Sequence, residues 1–305
     1  MKVVRLLSVL CLAAPLFAQT SAPTSAPRVV RSPQIRNAQN FAVLPQVVDG
    51  LESGVTIWST QIVLVNLNPN SGEPYTVNFY DESGNPAKVN IIDQASGGVT
   101  TISGSLNPGQ TIRYTTAGLA TTPIQTTWAS VYNSGTGGQI SAYEAIRDTV
   151  PSKNYFAETQ VSCDFGIDNT ATNPGGFMPF DNTATTIAGV PTQTYTSIAM
   201  VNPDLANTAG WATSLLVQIY NQNGTLIGTH TITLTSGQHT AFNANSEWPE
   251  TAGIQGTLYF LPSTGTFSAI TMFGLRAYNS STYKTNATIN LLQVTCPSAG
   301  CPTAP

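Results

Sequence analysis

Charged side chains are scarce in this chain of 305 residues: Lys, Arg, Asp and Glu together make up 9%, and there are 2 histidines. Acid–base catalysis needs positioned titratable side chains, most often histidine. The composition therefore disfavours an enzyme that works by proton transfer. From residue 39 onward, six Lys and Arg stand against fifteen Asp and Glu, a net charge of −9. Nucleic-acid binding needs clustered cations against the phosphates, so this balance argues against it.

Recognisable catalytic and cofactor motifs are missing as well. The sequence has no G-x-S-x-G nucleophile elbow and no glycine-rich phosphate-binding loop. After the N-terminal segment, no stretch is long and apolar enough for a transmembrane helix. We therefore expect no enzyme activity, no cofactor, and no membrane span in the mature chain.

The N-terminus carries the pattern of a secretory signal peptide. Lys2 and Arg5 precede an apolar run from Leu6 to Ala18, which is too short to cross a bilayer. Residues 1–18 are therefore predicted to be removed by cleavage after Ala18. The mature protein is expected to be secreted or held in the cell envelope, in the periplasm or on the outer surface. Residues 19–38 are rich in Pro, Ser, Thr and Ala, which predicts a disordered linker.

A long internal repeat organises the rest of the chain. The stretch from Trp58 to Pro86 returns, altered, as Tyr195 to Gly228. Further matched pairs follow in the same order: Val65-Asn66 with Val201-Asn202, Gly84 with Gly224, Gly109-Gln110 with Gly237-Gln238, Arg147 with Arg276, and Cys163 with Cys296. Collinear matches of this kind indicate two copies of one domain, each of ordinary domain size. We place the copies at residues 39–165 and 166–296, followed by a cysteine-bearing tail at 297–305.

Alternation of apolar and polar residues predicts β-strands throughout both copies. The residues expected to face the core include Val77, Phe79, Val217, Ile219, Leu226, Ile232 and Leu234. Gly84 and Gly224 fit hairpin turns, because glycine accepts positive φ. Almost nothing has the pattern of a helix. An all-β chain with about seven or eight strands per copy predicts two tandem antiparallel β-sandwiches of immunoglobulin-like or related topology, related by internal duplication.

Several longer motifs mark these strands and turns. They are FAVLPQVVDG, W-S-T-x-I-V-L-V-N-L, N-F-Y-D-E-S-G-N-P, P-F-D-N-T, G-Q-H-T-A-F and G-L-R. Through them the chain resembles an exported bacterial family of paired β-sandwich repeats, over nearly all of the mature sequence. That family has no assigned activity, so the resemblance implies fold and export only. The lengthened loop around Trp211 and the cysteine-bearing tail depart from the family pattern.

Two kinds of stabilising site are candidates near the domain ends. Export permits disulfide bonds, and Cys296 with Cys301 could close a small loop in the tail. Cys163 could instead tie the two copies together or remain a free thiol. Oxygen ligands for Ca²⁺ are offered at the domain junction by Asp164, Asp168 and Asn169. Their spacing matches no known calcium loop, so turn or cap roles are the simpler interpretation.

The ionisable side chains on strands are few enough to consider one by one. His230 is expected on the inward side of its strand and His239 on an outward face, both as structural or surface residues. Glu144, with Glu158 on the following strand, is the best candidate for a carboxylate pair that hydrolyses glycosidic bonds. The alternative for Glu144 is an exposed strand carboxylate, or one paired with Arg147.

Trp211 and Trp248 lie in predicted loops of the second copy. Aromatic rings in loops can stack on sugar rings, or they can close the end of a sandwich core. Three functions stay open: a non-catalytic structural or adhesion-type protein, a carbohydrate-binding module that uses these tryptophans, and a glycoside hydrolase centred on Glu144. The sequence favours the first, with an extracellular glycan or a surface protein as the partner.

Overall fold

Antiparallel β-strands make up most of the protein. The computed structural model describes residues 41–94, 96–133, 140–150, 155–162, 175–207, 212–263, 268, 270–280, 284–289 and 292–293. We call residues 41–162 the first half and residues 175–293 the second half. Within the described residues, the helical segments are α1 (Ala244–Glu247) and a single 3-10 turn at Pro249–Thr251. The all-β class predicted from the sequence is confirmed.

The described strands divide into eight in the first half and ten in the second. Those of the first half are β1 (Phe41–Glu52), β2 (Thr56–Asn66), β3 (Glu73–Tyr80), β4 (Thr101–Leu106), β5 (Thr111–Thr115), β6 (Gln125–Asn133), β7 (Ile140–Val150) and β8 (Tyr155–Ser162). Those of the second half are β9 (Gly176–Asp181), β10 (Ala184–Ile187), β11 (Val190–Val201), β12 (Ser214–Asn221), β13 (Leu226–Thr233), β14 (His239–Asn243), β15 (Gln255–Pro262), β16 (Thr271–Ser280), β17 (Lys284–Ile289) and β18 (Leu292–Gln293).

In the first half, all eight strands belong to one sheet. Their order is β4-β3-β6-β1-β2-β7-β8, and β5 pairs with β2. The long strand β1 makes this possible, because it pairs with β6 over most of its length and with β2 at its C-terminal end. A register shift between Leu44 and Val47 bends β1 along the way. The sheet therefore curls, nearly into a barrel, around a core that includes Ile62, Val77 and Phe79.

The second half follows this pairing order in two separate sheets, except that β18, paired with β9, has no counterpart among the described strands of the first half. One sheet has the order β13-β12-β15-β9-β18, and the other has β10-β11-β16-β17 with β14 paired to β11. Here β9 and β10 take the places of the two parts of β1, with Asn182 and Thr183 between them. The two sheets enclose a second core, which includes Met200, Val217 and Phe260. Each half thus buries its own apolar faces between two layers.

A buried threonine in each half holds the strand that passes from one layer to the other. The hydroxyl of Thr60 accepts a hydrogen bond from the N–H of Val48 at 2.8 Å and donates to its carbonyl at 3.1 Å. In the second half, the hydroxyl of Thr196 accepts from the N–H of Asp181 at 2.9 Å and donates to its carbonyl at 3.2 Å. Both threonines are completely buried. The same backbone groups are therefore held in the same way in each half.

The repeated Val-Asn and Gly-Gln motifs meet in space. The N–H of Asn66 donates to the carbonyl of Gln110 at 2.9 Å, and the N–H of Asn202 donates to that of Gln238, also at 2.9 Å. The side-chain amide of each asparagine also donates to a buried backbone carbonyl, at 3.1 Å and 2.9 Å. Each asparagine therefore joins the end of one strand to the turn that precedes another.

Most residues predicted to face the core do so. Val77, Phe79, Val217, Ile219 and Leu234 are buried, and Ile232 packs against the core of the second half. The prediction for Leu226 is wrong, since this residue is 42% exposed. The register between β12 and β13 shifts beside it, and Ile227 packs against the core instead. An extra residue at such a bulge reverses the alternation of side chains.

The two halves pack against each other along one seam. All described residues belong to one compact unit, Ile35–Pro305. Trp128 of the first half is completely buried, and its Nε1–H donates to the carbonyl of Gly237 at 3.1 Å. The N–H of His239 donates to the carbonyl of Glu82 at 2.9 Å. Two apolar clusters also span the seam, one with Val43, Trp128 and Val201 and the other with Val48, Ile146, Ala199 and Phe273.

The hairpin turn at Gly84 contacts the seam, whereas its counterpart at Gly224 does not. Both glycines have positive φ, 82° and 76°, as the sequence predicts. A Cβ atom on Gly84 would lie 2.7 Å from the Cα of Gly237. A Cβ atom on Gly224 would meet no atom within 4 Å. The two turns thus share a backbone conformation but differ in their contact with the other half.

We predict that Gly84→Ala destabilises the protein more than Gly224→Ala does. Both variants place alanine in the left-handed region, at a cost of about 1–2 kcal/mol. Only Gly84→Ala adds a steric clash at the seam, for which overpacking costs of about 1–3 kcal/mol are typical. Urea denaturation of the two variants measures the difference. Equal losses of stability would show that the Gly84 contact does not form in solution.

Candidate functional site

A cleft opens along the seam between the two halves. Its volume is about 420 Å³, which falls within the range of roughly 300–1,000 Å³ for small-molecule sites. The first half contributes Glu52, Trp58 and Asp148. The second half contributes Tyr195, Ser197, Asn243, Leu275, Ala277, Tyr278 and Asn279. Aromatic rings, carboxylates, amides and hydroxyl groups thus line one concave surface, which we call the seam cleft.

The outer face of a sheet forms the second-half wall of the seam cleft. Ser197 lies opposite Leu275 on one neighbouring strand and opposite Asn243 on the other. Tyr195, which precedes Ser197 by two residues on β11, lies opposite Ala277. Because side chains alternate between the faces of a sheet, these residues share one surface. The short side chains of Ser197 and Ala277 leave room for the cleft between larger neighbours.

Trp58 dominates the first-half wall. It lies opposite Asp148 in the register between β2 and β7, so the two residues share a face. Its Nε1–H donates to Oε2 of Glu52 at 2.7 Å, which orients the indole ring. The ring also packs against the apolar cluster at the seam, as Leu275 does from the other half. Trp58 is therefore held in place at its polar edge and along its apolar body.

The lining of the seam cleft is acidic and otherwise uncharged. Glu52 is exposed and Asp148 is buried. None of the described residues in the lining is Lys, Arg or His. The hydroxyl of Ser197 donates to Oδ1 of Asn243, so the amide nitrogen of Asn243 is the group that can donate further. The cleft offers acceptors at its carboxylates and donors at its amides and hydroxyls, an arrangement suited to binding.

Glu144, the predicted catalytic candidate, lies inside the first half. It is completely buried on β7, opposite Ile62. Burial raises the pKa of Glu144 well above its ordinary value, and the nearby backbone of Gln46 opposes this only in part. No side chain within the described residues bonds to the carboxyl group. Burial therefore favours the protonated form of the carboxyl group, and the alternative of an exposed strand carboxylate is wrong.

The backbone register separates Glu144 from Glu158. Strands β7 and β8 pair so that Val161 lies opposite Glu144, whereas Glu158 lies opposite Arg147. Positions 144 and 147 differ by an odd number of residues, so they belong to opposite faces of the sheet. The register therefore gives no support to a facing pair of these two carboxylates.

The register also corrects the match between Arg147 and Arg276. Ile146 lies opposite Thr60, and Arg276 lies opposite Thr196. Since the two threonines make equivalent hydrogen bonds, Arg276 occupies the place of Ile146, one position away from that of Arg147. Arg147 and Arg276 are therefore not equivalent residues in the fold, although the sequence repeat matches them.

His239 is buried at the seam, although the sequence places it on an outward face. It does point away from the core of its own half, but the first half covers it and leaves 3% exposed. Oε1 of Gln46 lies 2.9 Å from its Nε2, and this nitrogen carries the proton because a carbonyl oxygen can only accept. Burial lowers the pKa of His239 to about 4. The imidazole is therefore a neutral structural group at neutral pH.

His230 and Trp248 lie together in the second half. Nε2 of His230 contacts Oε1 of Glu250. Burial raises the pKa of Glu250, but the hydrogen bond to His230 helps to outweigh this and the pKa is lowered overall. Trp248 is 1% exposed and meets the ring of Phe242 edge-on, with centroids 5.2 Å apart. Trp248 thus belongs to the core, and its burial gives no support to a ligand-binding role.

Several predicted site residues lie outside the described part of the chain. These are Trp211, Asp164, Asp168, Asn169, Cys163, Cys296 and Cys301. Their roles stay predictions. Among the residues that the structure does describe, no group of three or more His, Cys, Asp or Glu is placed to hold a metal ion. In the same residues, no helix has the length and apolar character needed to traverse a bilayer.

The sequence contained one overlooked signal of the seam cleft. Met272 and Gly274 are buried on one face of β16, while Phe273 and Leu275 place apolar side chains on the other face. A strand that is apolar on both faces is covered on both faces. That signal indicates a covering partner for β16, but it does not say that the partner is the first half.

Comparisons with known proteins add no assignment. No protein-family model, curated protein or solved structure matches the chain. The resemblance to an exported bacterial family of paired β-sandwich repeats therefore stays a prediction that rests on the motifs quoted above. The function has to be argued from the seam cleft and from the placement of the ionisable groups.

We predict that His239→Gln weakens the loss of stability in acid. Folded His239 has a pKa of about 4, against about 6.5 in an unfolded chain. As the pH falls through this window, the unfolded chain takes up a proton that the folded protein does not, so the free energy of unfolding decreases. A shift of this size corresponds to about 3 kcal/mol. Glutamine does not titrate, so this part of the acid-induced loss should disappear.

Free energies of unfolding measured near neutral pH and near pH ~4 check this prediction. His230→Gln changes the other histidine and serves as the control, because the contribution of His239 should persist in it. Parallel pH profiles for the wild type and His239→Gln would contradict a buried, neutral His239.

Proposed function

We propose that the protein is an exported, non-catalytic binding protein of structural or adhesion type. The observation that carries this proposal is the seam. It locks two strand-rich halves together through the hydrogen bonds of Trp128 and His239. The same packing leaves a cleft lined with binding groups from both halves. A rigid scaffold that presents one preformed site is the arrangement expected of a binding protein.

We infer further that the halves are tandem β-sandwiches of immunoglobulin-like or related topology that arose by duplication. Apart from β18, their strands pair in the same order. Thr60 and Thr196 make equivalent hydrogen bonds, and so do Asn66 and Asn202. Buried polar contacts of this kind are specific, and two unrelated domains would have no reason to share them. This supports domains at residues 39–165 and 166–296.

The placement of Glu144 and of the two histidines supports the non-catalytic part of the proposal, although the seam cleft itself carries the carboxyl groups of Glu52 and Asp148. Proton-transfer catalysis needs a titratable group within reach of the substrate. Glu144 is buried in a core and His239 is buried at the seam. The partly exposed His230 already contacts Glu250. A glycoside hydrolase centred on Glu144 is correspondingly less favoured.

Export and partner choice rest on the sequence. The charged N-terminus and apolar run predict a signal peptide, and the mature chain has few charges. We therefore place the protein outside the cytoplasm, with an extracellular glycan or a surface protein as its partner.

Carbohydrate binding is the second candidate function, and the seam cleft is the observation that favours it. The cleft brings Trp58 of the first half and Tyr195 of the second half together. These are not the aromatic residues that the sequence indicates, since Trp248 is buried and Trp211 lies outside the described residues. The candidate site therefore moves from the loops to the seam.

Expression of the full chain in a bacterial host tests the proposal. We expect the protein to be recovered outside the cytoplasm with Gln19 at its N-terminus, because cleavage is predicted after Ala18. The purified protein should release no product from a panel of polysaccharides. N-terminal sequencing and product chromatography provide the two measurements.

Two results would contradict the proposal. Cytoplasmic protein that retains Met1 would rule out export. Product release that is lost in Glu144→Gln but kept in Glu158→Gln would show that the buried carboxyl group is catalytic after all.

A further inference from the structure

We propose that the seam cleft binds a neutral oligosaccharide, with Trp58 as the stacking platform. The inference rests on the proposed binding function and names its ligand class and its residues. It depends on the cleft between the halves, and Trp248 is not among the described lining residues.

The shape of the seam cleft fits a short sugar chain. A volume of about 420 Å³ lies within the range of roughly 300–1,000 Å³ that small-molecule sites occupy. Glu52, Asn243 and Asn279 are exposed, whereas Asp148 is buried. A ligand can therefore enter from solvent and still reach a polar group that is shielded from water.

The aromatic side chains provide the apolar part of the site. A pyranose ring presents faces of C–H groups, which pack against the faces of aromatic rings. Trp58 is half-buried and its indole N–H is already bonded to Glu52. Because the ring is held before any ligand arrives, little side-chain freedom is lost on binding. Tyr195, which is also half-buried, adds a second ring from the opposite wall.

The polar side chains provide matching hydrogen-bonding groups. Each sugar hydroxyl donates one hydrogen bond and accepts others, so a sugar site needs both donors and acceptors. The carboxyl oxygens of Glu52 and Asp148 accept hydrogen bonds. The amides of Asn243 and Asn279 donate. The lining therefore offers both the donors and the acceptors that a sugar needs.

The charge of the lining narrows the ligand class. A phosphate, a sulfate or a uronic acid would meet the exposed carboxylate of Glu52, and none of the described lining residues is Lys, Arg or His. A cation could use the carboxylates and the aromatic faces. It would, however, make no use of the amide donors of Asn243 and Asn279. A neutral sugar satisfies the donors and the acceptors together.

Calorimetric titration of the full mature chain with cello-, xylo-, manno- and malto-oligosaccharides tests the assignment. We expect at least one of these probes to bind, with a Kd in the micromolar to millimolar range. Ala277→Phe fills the cleft without removing a binding group, and Trp58→Ala removes the platform. Each should weaken binding by at least about tenfold, the effect of losing a central contact.

Tyr220→Ala is the matched control for loss of a half-buried aromatic ring. Tyr220 lies on β12, in the other sheet of the second half, and is not among the lining residues. The variant should bind the oligosaccharide as the wild type does. Circular dichroism and the urea midpoint of each variant show whether it is folded before the affinities are compared.

The outcomes separate this inference from the proposed function. Binding that survives Ala277→Phe, or the failure of every neutral oligosaccharide to bind, overturns the cleft assignment and leaves a non-catalytic protein in place. Binding of choline or spermidine in place of sugars overturns it in favour of a cationic ligand. Shortened oligosaccharides in the titration mixtures would instead contradict the proposed function, because the protein would then be an enzyme.

Discussion

The hydrogen bond from the indole of Trp128 to the carbonyl of Gly237 determines how the two halves meet. The indole is completely buried and stacks on Tyr80, with ring centroids 4.3 Å apart. A buried donor without a partner would cost about 1–3 kcal/mol, so the first half needs this carbonyl. Trp128 lies opposite Tyr80, and the corresponding residue opposite Tyr220 in the second half is Thr257. The two halves therefore differ at this position: the first half has a tryptophan that contacts the seam, and the second half has a threonine.

The remaining features of the molecule follow from that constraint. The seam covers His239, and the apolar cluster that closes the seam holds Trp58 and Leu275 at the edge of the cleft. The walls of the cleft come from different halves, so their separation depends on the seam and not on either fold alone. Small residues such as Ala277 then decide how much space is left. Binding and packing are therefore two consequences of one interface.

Local features were predictable from the sequence, and features that depend on the seam were not. Val77 and Phe79 face the core because strand alternation is a local property. The prediction for Leu226 was wrong because a bulge next to this residue reverses the alternation. His239 was placed outwards correctly for its own half, but a covering half cannot be deduced from one strand. The alternatives for Glu144 all left its carboxyl group accessible or paired, because charged residues rarely lie inside, and only the structure shows that it is buried with a raised pKa.

Hydrogen exchange of the Trp128 indole proton, followed by NMR spectroscopy, is the most direct test of the seam. Because this N–H is bonded across the seam and has no exposure, it can exchange only when the halves separate or unfold. The prediction is protection as strong as that of the core amides in β6 and β11. Rapid exchange of the indole proton, while those amides stay protected, would show that the halves are not locked together.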